Sequence, residues 1–167
     1  MKNMEEVAGF MREHDLMLVT AESCTGGLIA ATLADIPGAG KLLDCAFVTY
    51  SVQAKQRCLS VSDQTLERYN LTSEEVAREM AQGALGNSRA NVAISNTGVT
   101  DDVDDDIPAG TQCFAWAFRR HDGDKPGDAV LFSETRRFPG DRTEIRLASA
   151  EYALQRIPHY FGLLDAS

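Results

Sequence analysis

The sequence predicts a layered α/β domain with a mixed sheet. Three observations carry this. Short apolar runs alternate with helical patterns through the first half of the chain. Two longer strand-like segments, 111–120 and 129–138, then follow one another as the arms of an antiparallel hairpin. Finally, 167 residues are one domain's worth, long enough to bury a core, and no repeat, low-complexity tract or long linker divides them. One domain is therefore expected over residues 1–167.

Val7, Phe10 and Met11 share one side of a short amphipathic helix over Met4–Glu13. Residues 16–20 (LMLVT) form a short apolar run, read as a buried strand. The turn AESCTGG follows at 21–27, then a helix over Leu28–Ala34, ended by the breakers of 35–40. CAFVTY at 45–50 is a second strand, and Ser51 is placed to cap the helix that carries Lys55. Thr72-Ser-Glu-Glu75 matches a capping box opening a helix to about Leu85. Residues 91–95 form a third strand, running into Asn96-Thr97-Gly98 as a turn. The hairpin turn is placed at 121–127. Asp141-Arg-Thr-Glu144 opens a last helix on which Leu147, Ala150, Leu154 and Ile157 recur at helical spacing, with Pro158 stopping or kinking it.

Charge narrows the function classes. Sixteen Lys and Arg against twenty-five Asp and Glu leave a net charge of −9. That balance disfavours nonspecific binding to nucleic acid or to an anionic membrane. Five of the acids crowd into Asp101, Asp102, Asp104, Asp105 and Asp106, so the acidity is partly one loop. No apolar run approaches the roughly 20 residues of a membrane span, and the N-terminus lacks the order of a signal peptide. Cys24, Cys45, Cys58 and Cys113 are scattered with no CxxC pair. A cytoplasmic protein with reduced thiols is expected. The Asp run fails as an EF-hand, since Ile107 and Cys113 stand where Gly and Glu are needed. GxxxxGK[ST] and GxGxxG are both missing. No metal or cofactor is expected.

In open sheets of this type, ligands collect beyond the carboxyl ends of the parallel strands. Three polar segments lie there: 22–27, 50–55 and 96–98. Ser23 is either a nucleophile or anion contact, or simply a helix cap. Thr25 can share either role, and Gly26 and Gly27 allow close backbone approach of a ligand. Thr97 and Gly98 complete the candidate contacts. Cys24 is a rival nucleophile or an inert buried thiol. A triad would need His14, His121 or His159, none of which is at a strand-end turn. Lys55 is a general base if burial lowers its pKa, with Tyr50 assisting, or else a solvated helix residue. Arg142 can grip a phosphate or carboxylate, or make a surface ion pair.

The blocks TAESCTGG (20–27), FVTYS (47–51) with Ala54-Lys55, SEEVAREM (73–80), GAL (83–85) and GDR (140–142) occur in order. Over nearly the whole chain this resembles the C-terminal domain of the competence-damage-inducible protein CinA, a family that occurs as stand-alone domains and fused behind a second domain. The chain is expected to be of the stand-alone kind. The resemblance implies a three-layer α/β/α fold with a mixed five-stranded sheet. It implies hydrolysis of nicotinamide mononucleotide to nicotinate mononucleotide and ammonia, with Ser23 as nucleophile, Lys55 and Tyr50 as its partners, and Arg142 as a substrate contact. Ligand and partners would be a small-molecule nucleotide and further copies of the chain in a homo-oligomer.

One segment departs from the family pattern. Active members continue after the third strand with GIAGPxGG and KPVG. Here residues 98–110 read GVTDDVDDDIPAG, with Ile107 at the motif lysine. Carboxylates near a phosphate repel it. The alternative expectation is therefore a catalytically idle relative that binds a nucleotide or a protein partner.

Overall fold

A computed structural model describes residues 3–119 and 128–166. Five strands form one sheet: β1 Leu18–Glu22, β2 Leu43–Val48, β3 Val92–Gly98, β4 Thr111–Arg119 and β5 Ala129–Arg137. The order across the sheet is β2-β1-β3-β4-β5. β1 pairs in parallel with β2 and β3, while β4 pairs antiparallel with β3 and β5. The sheet is mixed, as expected. The hairpin turn placed at 121–127 lies outside the described residues.

Among the described residues, seven α-helices cover its two faces: α1 Met4–Glu13, α2 Leu28–Ala34, α3 Val52–Leu59, α4 Asp63–Arg68, α5 Glu74–Gly86, α6 Arg142–Gln155 and α7 Ile157–Gly162. Strand alternation sorts the core into two layers. Leu18, Ile94, Phe114 and Trp116 pack with Val7 of α1, Ile29 of α2 and Leu154 of α6. Val19, Ala93, Ala115 and Ala117 pack with Leu59 of α3 and Met80 of α5. The result is three layers, α/β/α. On the second face the strands contribute small side chains, so α5 lies close. Gly83 belongs to the same fit, because a Cβ there would collide with the backbone of Leu59 at the end of α3. Among the described residues, no helix is long and apolar enough to cross a membrane.

Several boundaries differ from expectation, for physical reasons. β1 starts at Leu18, two residues late, because the Leu16 N–H closes on Met11 O after the left-handed Asp15 (φ 52°). It runs on through Thr20 and Glu22, whose polar side chains are satisfied by buried hydrogen bonds. Asn96-Thr97-Gly98 is not a turn but the end of β3, paired with Phe114, Cys113 and Gln112. Ser73, not Thr72, caps α5. α4 has no buried residue, and so no apolar period announced it. Asp141 and Glu144 form the full capping box of α6, and Pro158 sits in the first turn of α7 after the helix is interrupted at Arg156.

Candidate active site

The carboxyl ends of β1, β2 and β3 meet at one edge, and alternation decides what each end presents. Glu22 faces the α2 layer with Leu18 and Thr20. Ser23, the next residue, turns to the opposite side, where α3 lies. Ser51 caps α3 by accepting the Ala54 N–H at 3.0 Å, which fixes the first turn of the helix and aims Lys55 back at the sheet. Lys55 Nζ stands 3.0 Å from Ser23 Oγ.

Lys55 is 2% exposed. Its Nζ donates to Thr49 O at 2.6 Å. Burial disfavours the ammonium and pushes its pKa below the ordinary lysine value. A neutral amine donating to Thr49 O keeps a lone pair for the Ser23 hydroxyl proton. The hydroxyl and amine meet the geometric requirement for a nucleophile and its base.

The turn that holds Ser23 is built on Glu22, which sequence reasoning passed over. The Glu22 carboxylate is fully buried. It accepts the N–H groups of Gly27, Ile29 and Ala30 at 3.1, 2.9 and 3.1 Å and the hydroxyls of Thr25 and Thr20 at 2.7 and 3.0 Å. The start of α2 is therefore filled by the protein's own carboxylate. Gly27, left-handed at φ 102°, is its N-cap, so Ser23 is not a helix cap. Ser23 N–H donates to Asn96 O, Thr25 N–H to Asn96 Oδ1, and Gly26 N–H to Ser23 O. Among the described residues, the Cys24 N–H next to Ser23 donates to no protein acceptor. Arg146 of α6 holds the turn from behind, donating to Cys24 O at 2.9 Å and Thr25 O at 3.3 Å.

Thr25, Gly26 and Gly27, expected as substrate contacts, stand behind Ser23 and off the cleft wall, because their polar groups are spent on Glu22, Asn96 and Ser23. Thr97, Gly98, Tyr50 and Arg142 do line the cleft with Ser23 and Lys55. It has a volume of about 390 Å³. Tyr50 is 63% exposed at its rim, and its hydroxyl bonds to neither Ser23 nor Lys55. A Cβ at Gly98 would collide with the buried Gln112 amide. That amide accepts from Asn96 and donates to the Cys24 thiol.

Cys24 is buried, and burial raises its thiol pKa, which opposes the thiolate a nucleophile needs. His14 packs on Phe10 and Phe161, and His159 on Tyr160; neither lines the cleft. His121 lies outside the described residues. On the far wall, Arg142 makes an ion pair with Asp101 at 2.7 Å. Asp104 accepts from Asn70 at 2.7 Å. Asp101, Asp104 and Ile107 line the cleft; Asp102, Asp105 and Asp106 do not.

Residues 1–161 match the family model of the CinA C-terminal domain. The chain is 37% identical over 163 residues to a protein of Escherichia coli K12 named nicotinamide-nucleotide amidohydrolase PncC, covering 96% of this chain and 94% of that one. It is 39% identical over 158 residues to a CinA-like protein of Akkermansia muciniphila, 93% of this chain but only 35% of that relative's length. Among solved structures, a competence damage-inducible protein A of Klebsiella pneumoniae superposes with a TM-score of 0.86 at 30% identity, covering 98% of this chain and 99% of that one.

Proposed function

We propose that this chain, which belongs to the CinA C-terminal domain family, is a serine amidohydrolase acting on the carboxamide of nicotinamide mononucleotide or a related N-substituted nicotinamide. The observation that carries the reading is the 3.0 Å contact between Ser23 Oγ and the buried, pKa-lowered Lys55 amine. The name of the E. coli relative supplies the substrate class.

The steps follow from the groups present. Neutral Lys55 takes the Ser23 hydroxyl proton as Oγ attacks the carboxamide carbon. The Cys24 N–H, beside Ser23, is the donor proposed for the oxygen of the tetrahedral intermediate. Lys55 then gives its proton to the leaving nitrogen, the C–N bond breaks, and ammonia departs. A water attacks the Ser23 ester with Lys55 again as base. The carboxylate leaves and Ser23 is restored. Tyr50, at the rim, supports binding of the aromatic ring rather than proton transfer.

The ion pair that occupies Arg142 favours a second reading, an idle relative that binds a nucleotide or a protein partner without turnover. Ammonia release from nicotinamide mononucleotide and from nicotinamide riboside by the purified protein separates the two. Release that Ser23→Ala abolishes and Cys24→Ser largely retains supports the amidohydrolase. No ammonia from either compound, with binding intact, supports the idle relative.

A further inference from the structure

We propose that Asp101 and Asp104 make this cleft select a cationic pyridinium carboxamide carrying an uncharged sugar over its phosphorylated counterpart. The proposal rests on the amidohydrolase reading for the reacting end of the ligand and adds what the other end must be.

Among the described residues, four ionisable side chains other than Tyr50 and Cys24 line the cleft: Lys55, Arg142, Asp101 and Asp104. Lys55 is buried at the bottom and engaged by Ser23 and Thr49. Arg142 is then the cation that remains for a phosphate, and its Nη2 already donates to Asp101 Oδ2. A phosphate reaching Arg142 must either displace Asp101 or use the remaining guanidinium N–H groups, and in both cases it lies beside that carboxylate. Asp104 faces the same space, and Ile107 offers no charge. The wall thus repels a dianion at the place where an anion anchor would be needed.

The same wall suits a cation. A quaternised nicotinamide ring carries a permanent positive charge. Asp101 and Asp104 attract it, and the exposed Tyr50 ring offers a π face. Leu71, Val103 and Ile107 supply apolar surface for a flat ring. An uncharged sugar brings nothing for the carboxylates to repel.

The test is the ratio of kcat/KM for nicotinamide riboside to that for nicotinamide mononucleotide, with calorimetric affinities of both for the Ser23→Ala protein. The native ratio is expected to favour the riboside by about tenfold. Asp101→Asn frees Arg142 and shifts the ratio toward the nucleotide by a similar factor, chiefly through KM. Asp105→Asn removes the same charge from the same loop but off the cleft, and leaves the ratio unchanged. Affinities for the Ser23→Ala protein follow the same order. Equal or tighter use of the nucleotide by the native protein, no binding of either compound, or a ratio indifferent to Asp101→Asn overturns the proposal. If neither compound releases ammonia while the riboside still binds more tightly, the amidohydrolase reading falls and the selectivity stands.

Discussion

The two walls of the cleft are made in different ways. On the strand-end wall Ser23 is backed by the fully buried Glu22 and Asn96, and Lys55 is 2% exposed. The loop wall carries Arg142 and Asp101 with side chains 57% and 60% exposed, joined by one ion pair. Two further acids bond close by: Asp104 accepts from the Asp106 N–H and from Asn70, and Asp102 accepts from the Ala109 N–H. Ser23 is thus held by bonds that also hold the sheet to α2. The charge presented to a ligand sits on a loop that packs little into the core. On the proposed reading, ligand charge could change in this molecule without altering the Ser23–Lys55 contact.

The largest effect should come from the strand-end wall. Lys55→Met keeps the length and apolar stem of the side chain but removes the base. With a substrate that the native protein turns over, Lys55→Met and Ser23→Ala should each lower ammonia release by about a thousandfold or more. Thermal unfolding of both variants should remain cooperative. A Lys55→Met protein that retained a tenth of the native rate would remove Lys55 from the reaction.

Stability should divide along the same line. Glu22→Ala leaves three backbone N–H groups and two hydroxyls without their acceptor. Unfolding in urea should show a loss of about 3–5 kcal/mol. Changing Asp104, Asp105 and Asp106 together to Asn should cost less than about 0.5 kcal/mol, because these side chains are on the surface and the Asn oxygen can still accept. Comparable losses in the two proteins would mean that the walls are not separable.

This division also explains what the chain reveals before folding. Ser23, Lys55 and the strand-end location were legible because turn residues follow apolar runs, and because the sequence blocks are specific. Glu22 was hidden by its position: an acid ending an apolar strand reads as the start of a turn. The available signal was the set of N–H groups just ahead of it at the start of α2, which need an acceptor. Gln112, Asn96 and Arg146 gave no local signal, since their partners are 88, 71 and 122 residues away. The Arg142–Asp101 pair spans 41 residues and depends on how the loop lies against α6. Tyr50 was legible as a cleft residue, because it directly follows the second strand, but its exposure at the rim depends on how that strand end meets the cleft.

A smaller effect is carried by pH. The folded pKa of Lys55 lies below that of the unfolded chain, so between the two values the unfolded state binds more protons. The lysine's unfavourable contribution is fully present below the folded pKa. Stability should rise with pH across that window, and the gain should be complete above the ordinary lysine value. Turnover should rise with pH through the lowered pKa as the amine becomes a base. Lys55→Met should remove this part of the stability slope, whereas Asp101→Asn should leave it intact. Urea midpoints at a series of alkaline pH values compare the two directly. An unchanged slope in Lys55→Met would mean that the amine keeps its ordinary pKa in the folded protein.

The smallest effect is expected at Thr49, where the strand-end wall can be divided once more, between backbone and side chain. Thr49 is 1% exposed. Its N–H donates to Glu22 O and its carbonyl accepts from Lys55, so its backbone joins β1 to Lys55. Its hydroxyl is buried with no partner among the described residues. An unpaired buried hydroxyl costs stability, while valine has nearly the same shape and leaves both backbone bonds in place. Thr49→Val should therefore keep or raise the unfolding free energy, by up to about 1 kcal/mol. Ammonia release should change by less than about twofold, too little to register as a catalytic loss. A rate loss approaching that of Lys55→Met, in a protein as stable as the native one, would show that the hydroxyl handles a proton. The strand-end wall would then act through the Thr49 side chain as well as its carbonyl.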